Sequence, residues 1–178
     1  DASWSRGLGD VYKRQIIPKE AGEKITQAAK VEIIDWKKLE KRTSIVGYPI
    51  LPLVEQLSEK VEGNFGQFCH WGATTQDIMD TADILQIRKG LELLSKDLKS
   101  ISDALEKIVE YHIKTPMAGR THLQHALPIS FGYKASTWLS GIDRHHKRLE
   151  EIKKRIFNVS FFGAAGTLAS LGEDNGLK

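Results

Sequence analysis

Two long stretches of the chain carry apolar residues at alternating intervals of three and four positions. The first predicts a helix from near Thr74 to about Lys114, and the second predicts a helix that follows Pro128. The positions with this spacing, apolar except for the two histidines, are Ile84, Ile87, Leu91, Leu94, Leu98, Ile101, Leu105, Ile108 and His112 in the first, and Phe131, Ala135, Trp138, Ile142, His145, Leu149, Ile152 and Ile156 in the second. This is a heptad pattern, and a helix of the first stretch's length is roughly 60 Å long.

Helices of this length cannot bury their apolar stripes against a small domain alone. We therefore expect partner helices, contributed by other subunits. The pattern predicts an all-α protein built around a long-helix bundle. The heptads alone would also support a structural coiled-coil or scaffold protein.

Shorter helical patterns, separated by turns, precede the first long helix. Residues Lys19 to Lys30 predict one helix, and Asp35 is the predicted N-cap of a second. The Gly47 to Pro49 segment breaks the chain, and Ile50 to Val61 predicts the next helix. A glycine-containing loop then leads to His70.

The two ends of the sequence differ from the rest. Residues 1–15 show no helical period and resemble a translated sequencing-adapter read-through, so we expect them to be non-native; a disordered native arm is the alternative. The sequence stops at Lys178 just after a turn-like segment, which predicts truncation. We expect an incomplete small helical domain over residues 16–73 and the truncated start of the bundle domain over residues 74–178.

Composition narrows the class of protein. The 178 residues are 40% hydrophobic and 28% charged, as in ordinary soluble proteins. The net charge is +3 with acidic and basic residues interspersed, which argues against a nucleic-acid surface. No apolar segment resembles a membrane span or a signal-peptide core. Cys69 is the only cysteine, which excludes a disulfide or a cysteine metal cage within the chain. We expect a cytoplasmic protein that binds neither nucleic acid nor membrane.

The Thr74-Thr75-Gln76-Asp77 segment opens the first long helix. One interpretation is a capping box, in which Thr74 binds a first-turn N–H and Asp77 reaches back. The other is a carboxylate-binding site, because a helix N-terminus has unpaired N–H groups and a positive dipole end, here beside two hydroxyls. His70 either orients a bound substrate or packs with Trp71.

A second concentration of polar groups lies in Gly119–Pro128, between the two long helices. A histidine in such a connector is more often a structural residue than a catalytic one. Here, however, donors suited to an anion crowd one short segment. They are Arg120, Thr121, His122, Gln124 and His125. Histidine also titrates near neutral pH, which suits it to donating a proton to a leaving group.

Two other features are weak candidates for a metal site or a nucleotide site. The adjacent His145 and His146 point in different directions on a helix and form a poor chelate. We interpret His145 as a polar residue of the apolar stripe and His146 as solvated. The glycine-rich Phe162–Thr167 lacks the strand-before, helix-after context and the lysine of a phosphate loop.

Together, His70–Asp77 and Gly119–Pro128 resemble two of the three signature regions of the fumarase/aspartase superfamily. Within it the chain looks most like the branch of 3-carboxy-cis,cis-muconate cycloisomerase and adenylosuccinate lyase. The resemblance implies the N-terminal part of an all-α homotetramer whose active sites combine several subunits and use no metal or organic cofactor. It also implies anti elimination–addition on a small polycarboxylate: a base removes the α-proton, an aci-carboxylate forms, and an acid protonates the leaving group.

The resemblance assigns roles to residues of both motifs. Thr74 and Thr75 align with paired hydroxyl residues that bind substrate, and His122 matches the general-acid position in the Gly-Arg-Thr-His motif of adenylosuccinate lyase. The predicted catalytic residue is therefore His122, and the predicted substrate-binding residues are His70, Thr74, Thr75, Arg120, Thr121, Gln124 and His125.

Other residues bear on the branch. Adenylosuccinate lyases usually carry an Arg-His-Asp motif upstream of the Thr pair, whereas Gly47–Leu53 resembles the Gly-x-Pro-x-x-Pro-Leu of cycloisomerases. A cycloisomerase that interconverts a carboxymuconate and its lactone is therefore favoured, and adenylosuccinate lyase, supported mainly by His122, is the alternative. The base of the superfamily is a serine on a mobile Gly-Ser-Ser-x-Met-Pro-x-Lys-x-Asn loop, which this sequence does not contain. We expect the 178-residue chain alone to be inactive.

Overall fold

The structure is a computed structural model that describes residues 16–172. The described residues form two compact units, one with the residues up to Leu85 and from Asn158 onward, and the other with Gln86–Phe157. Our expectations for residues 1–15 and for the end at Lys178 lie outside the described residues. The predicted division into 16–73 and 74–178 stays a prediction.

Three short helices build the first unit: α1 (Lys19–Ala28), α2 (Trp36–Val46) and α3 (Ile50–Lys60). Short 3₁₀ turns lie at Val31–Ile33, Gly63–Phe68 and Ala169–Leu171. The predicted bounds of α1 and α3 are confirmed to within two residues, which is the ordinary uncertainty of helix boundaries, and α2 begins directly after its predicted N-cap. Their shared core consists of Ile17, Ala21, Ile25, Leu57 and Val61.

Local signals explain where α2 begins and ends. The carboxylate of Asp35 accepts a hydrogen bond from the Lys38 N–H at 3.0 Å, which confirms the predicted N-cap. Gly47 follows the last turn with φ of 93°, a left-handed conformation that glycine adopts without strain. The chain therefore turns at the predicted break and enters α3.

The first predicted long helix is α4 (Thr75–Tyr111), which has 37 residues and is about 56 Å long. The second is α5 (Phe131–Ile156), with 26 residues. Both confirm the mostly helical fold, and members of the apolar stripes remain open to solvent: Ile87 is 45% exposed, Leu94 53% and Trp138 48%. In the part of the chain that the structure describes, none of the helices is long and apolar enough to cross a membrane.

The connector between the long helices is a β-hairpin, where the sequence predicted no strand. Strands β1 (Pro116–Thr121) and β2 (Gln124–Ser130) pair antiparallel, with a bulge between Ala118 and Arg120. A Cβ on Gly119 would lie 2.6 Å from the Leu127 carbonyl oxygen, so the close approach of the two strands at this position requires glycine. The two-stranded ribbon joins two helices without adding a sheet layer, and the protein remains mostly helical.

The hairpin leads into α5 at a tight contact with the end of α4. The Gly132 N–H donates to the His112 carbonyl at 2.9 Å, and a Cβ on Gly132 would lie 2.8 Å from both the Ile113 Cα and the Val109 carbonyl oxygen. The Ser130 hydroxyl caps α5 by accepting from the Tyr133 N–H at 3.1 Å. Backbone contacts thus determine where the second long helix begins.

Candidate functional site

The first group of predicted site residues lies at the start of α4, in the first unit. Thr74 precedes the helix, Thr75 is its first residue, and both side chains are half-buried. The Thr74 N–H donates to the Asp77 carboxylate at 2.9 Å. Asp77 therefore reaches back as the capping box predicts. This bond joins the residue before the helix to its first turn.

Asp77 also makes contacts that the sequence did not reveal. Its side chain is 3% exposed, and its two carboxylate oxygens accept from the N–H groups of Phe162 and Gly163, each at 3.0 Å. The carboxylate thus binds three backbone donors. The sequence interpretation assigned Asp77 a capping role only, because partners 85 and 86 residues away leave no local signal.

One turn further along α4, Thr81 contacts the same part of the chain at Ser160. Its hydroxyl accepts from the Ser160 N–H at 3.2 Å and lies 3.4 Å from the Ser160 carbonyl oxygen, to which it donates. Thr81 is 5% exposed. We call Ser160–Gly163 the return segment. It follows the first two turns of α4, bound by side chains spaced one helical turn apart.

Two glycines pack the loops of this region closely together. Gly72 and Gly163 have φ of 77° and 73°. A Cβ on Gly163 would lie 3.2 Å from the Gly72 carbonyl oxygen, and a Cβ on Gly72 would lie 2.5 Å from Cδ2 of Leu171. The loop before α4 and the residues after α5 therefore approach each other at positions that favour glycine.

His70 lies in the loop that precedes Thr74, in a left-handed conformation with φ of 62°. Burial lowers the pKa of its imidazole, and a backbone hydrogen bond at Thr74 and the charge of Asp77 oppose that shift. Its Nε2 is buried and has no hydrogen-bond partner among residues 16–172. A half-buried imidazole with an unpaired nitrogen is thus placed two residues before Gly72.

The neighbouring Trp71 and Cys69 are less suited to chemistry. The Trp71 ring packs against that of Phe68 with centroids 5.7 Å apart. Burial raises the pKa of the Cys69 thiol, and a hydrogen bond with Ser58 opposes this shift only in part. A thiol with a raised pKa is a poor nucleophile at neutral pH.

The second group of predicted site residues forms the tip of the hairpin, in the second unit. Arg120 pairs with His125 across the strands, Thr121 pairs with Gln124, and His122 and Leu123 make the two-residue turn. Every side chain of this group is exposed. The structure therefore brings five predicted site residues together on one tip. His70, Thr74 and Thr75 form the other group, in the first unit.

Comparison with known proteins identifies the class to which this fold and these motifs belong. The family described as lyase matches residues 8–177. The chain belongs to this family, and its similarities place it in the fumarase/aspartase superfamily. The match starts inside the segment predicted to be non-native, and that prediction remains untested.

Solved structures share the fold. The chain superposes on a fumarate lyase from Mesorhizobium sp. BNC1 with a TM-score of 0.91 and 54% identity, over 97% of this chain and 41% of that one. It superposes on the β-carboxy-cis,cis-muconate cycloisomerase of Acinetobacter calcoaceticus sp. ADP1 with a TM-score of 0.90 and 33% identity, over 97% and 41% of the two chains. The described helices are thus those of a lyase N-terminal region.

Curated relatives carry several activities. Trans-aconitate decarboxylase 1 of Mycosarcoma maydis is 46% identical over 89% of this chain and 32% of its own length. Other relatives are named adenylosuccinate lyase, 3-carboxy-cis,cis-muconate cycloisomerase and N-acetyl-S-(2-succino)cysteine lyase. The chain spans about a third of the length of the curated relatives that it matches.

Proposed function

We propose that this chain contributes part of the active site of a lyase or cycloisomerase that acts on a small polycarboxylate. The reaction is an anti elimination or addition through an aci-carboxylate. One observation carries the proposal: Asp77 holds the α4 N-terminus, with Thr74 and Thr75 beside it, in a region that also contains an unpaired imidazole nitrogen of His70.

The start of α4 suits a substrate carboxylate. The first-turn N–H groups of a helix have no partner within the helix and face its N-terminal end. The hydroxyls of Thr74 and Thr75 add two donors at the same end. An aci-carboxylate carries more negative charge than the carboxylate from which it forms, so donors already aimed at it stabilise the intermediate. In this proposal His70 orients the same group.

The hairpin tip suits proton transfer and charge recognition. His122 is the proposed general acid, since histidine gains and loses a proton near neutral pH. Arg120 is a proposed contact to a carboxylate, because a guanidinium donates two parallel hydrogen bonds to such a group. Thr121, Gln124 and His125 complete the proposed contacts.

For the substrate we propose a carboxymuconate and its lactone. The Gly47–Leu53 sequence supports this choice, and the relatives of both names leave adenylosuccinate lyase as the alternative. We further propose a cytoplasmic homotetramer without metal or organic cofactor, in which the exposed stripe of α4 and α5 is covered by other subunits. A purely structural scaffold would not explain the polar side chains of Arg120–His125 at the hairpin tip.

A two-substrate assay tests the proposal. The protein expressed from its complete coding sequence is assayed on 3-carboxy-cis,cis-muconate and on adenylosuccinate, together with His122→Gln. His145→Gln is the matched control, because His145 is an exposed histidine of the same unit outside the proposed site. Muconate turnover that His122→Gln abolishes and His145→Gln retains supports the proposal. Turnover of adenylosuccinate supports the alternative, and turnover of neither refutes both substrates.

The 178-residue chain by itself is proposed to be inactive. The third signature region, with the serine base, is not in the sequence, and the chain covers only about a third of its curated relatives. The purified chain should show no turnover of either substrate at concentrations at which the complete protein is active. Turnover by the chain alone would overturn this expectation.

A further inference from the structure

The buried carboxylate of Asp77 accepts more hydrogen bonds than a helix cap requires. In a capping box the N3 side chain accepts one hydrogen bond from the N-cap N–H, and here the Thr74 N–H donates that bond to Asp77. Asp77 accepts two more bonds, from Phe162 and Gly163, and is 3% exposed. Burying a charge costs free energy unless hydrogen bonds compensate, and the three N–H donors provide that compensation.

Thr81 provides an internal comparison. It binds the return segment at Ser160 from the next turn of the same helix, and it is equally buried. Its hydroxyl is neutral, and it lies farther from the helix N-terminus. If the return segment needed attachment alone, a second neutral side chain at position 77 would serve. Of the two side chains, Asp77 alone also binds Thr74, the residue that precedes the helix.

We infer that Asp77 is a positioning residue of the proposed substrate site. Its carboxylate holds Phe162 and Gly163 against the N-terminus of α4, so that these two residues, and not the Ser160 end that Thr81 binds, become part of the surface that receives the substrate carboxylate. This inference rests on the proposed function. Asp77 touches no reacting atom, because its oxygens are engaged by backbone N–H groups, and it acts through the placement of Thr74 and the return segment.

Replacement by asparagine separates this role from simple attachment. The side chain of Asp77→Asn keeps nearly the same size, but one carboxylate oxygen becomes an NH₂ group. That group cannot accept from the N–H groups that Asp77 now binds, so at least one of the three bonds is lost. Misplacing a binding group by about 1 Å costs up to 10²-fold in rate. Thr81→Val is the matched control, because it removes both bonds to Ser160 without a change at the helix end.

The experiment uses the protein expressed from its complete coding sequence, with hydrogen exchange, thermal midpoint, kcat and KM measured for the wild type and both variants. We expect both variants to speed exchange in the peptide that holds residues 160–163 and to lower the midpoint. We expect Asp77→Asn alone to lower kcat/KM by about 10- to 100-fold, with a loss in kcat, because the misplaced donors stabilise the intermediate more than the bound substrate. Thr81→Val should retain both constants within about twofold.

Two results would overturn the inference. Equal kinetic losses in the two variants at equal loss of midpoint would make Asp77 an ordinary structural residue. Unchanged hydrogen exchange in Asp77→Asn would show that the carboxylate does not hold the return segment. Hydrogen exchange requires no substrate, so it tests the placement of the return segment by Asp77 even if the wild-type protein turns over neither substrate, a result that would refute both proposed substrates.

Discussion

The two groups of candidate site residues are built in opposite ways. At the start of α4 the half-buried Thr74 and Thr75 lie beside the buried Asp77 and Thr81, which join segments that are 79 to 86 residues apart. At the hairpin tip, backbone pairing holds Arg120–His125 in place, while the side chains are exposed. Substitutions in the first region should therefore cost stability, whereas substitutions at the tip should cost activity and leave the fold intact.

The largest expected effect is on activity at the tip. His122→Gln should lower kcat by about 10²- to 10⁴-fold, the usual contribution of a general acid. It should change the free energy of unfolding by less than about 0.5 kcal/mol, because the side chain is exposed. Steady-state kinetics and urea denaturation of the same preparations test both parts. A loss of stability larger than this would place His122 among the structural residues and break the contrast between the regions.

In the region at the start of α4, a glycine substitution should cause the largest loss of unfolding free energy. Gly72→Ala should lower the free energy of unfolding by about 2 to 4 kcal/mol, from left-handed strain and from the collision with Leu171. Gly166→Ala is the control: its φ of 73° is similar, but nothing lies within 4 Å of the added Cβ. The control should lose only about 1 to 2 kcal/mol. Equal losses in urea denaturation would show that close packing at Gly72 adds nothing.

The pH dependence of stability should reveal His70. Burial lowers its pKa below the ordinary value of 6.5, so below that pH the unfolded chain binds a proton that the folded chain does not. The free energy of unfolding should therefore fall as the pH drops below 6.5, by at most about 1.4 kcal/mol per pH unit from this group. His70→Gln should flatten this part of the plot of unfolding free energy against pH, measured by urea denaturation, while leaving the slope above pH 7 unchanged. If the free energy of unfolding of the variant fell equally below pH 6.5, His70 would be excluded as the source of that fall.

The smallest expected effect lies at the turn of the hairpin. Leu123 is 93% exposed and has φ of 57°, a conformation that asparagine tolerates better than leucine. Leu123→Asn should raise the free energy of unfolding by about 0.5 kcal/mol. Leu127→Asn, at a strand position that is 82% exposed, is the control and should bring no gain. Destabilisation by Leu123→Asn would mean that the leucine makes a contact in the assembled protein.

Local sequence signals predicted the helices well. The alternating apolar spacing anticipated α4 and α5, and Asp35 and Gly47 marked the ends of α2. The same spacing did not predict the burial of His146, which was expected in solvent and is half-buried. His145 is exposed, as is Trp138 of the same stripe, and its place in the stripe stays a prediction.

Non-local contacts were not predictable from the sequence. The hairpin was missed because Pro116, Gly119 and Pro128 obscure the alternation expected of strands, and pairing across a turn depends on both strands together. The bonds from Asp77 to the return segment were missed for the same physical reason. The Thr74 to Asp77 motif predicted a cap, and only the fold revealed the second set of partners.

The return segment also constrains how the chain is made. The first unit is discontinuous: its last described residues, from Asn158 onward, are synthesised after the whole of Gln86–Phe157. At about 5 to 20 residues per second, Gly163 leaves the ribosome on the order of 10 s after its partner Asp77. Until then the carboxylate of Asp77 has only the Thr74 N–H available of its three donors. A nascent chain therefore carries a helix start that is capped but not yet enclosed, and closing so long a loop makes this the late step of folding.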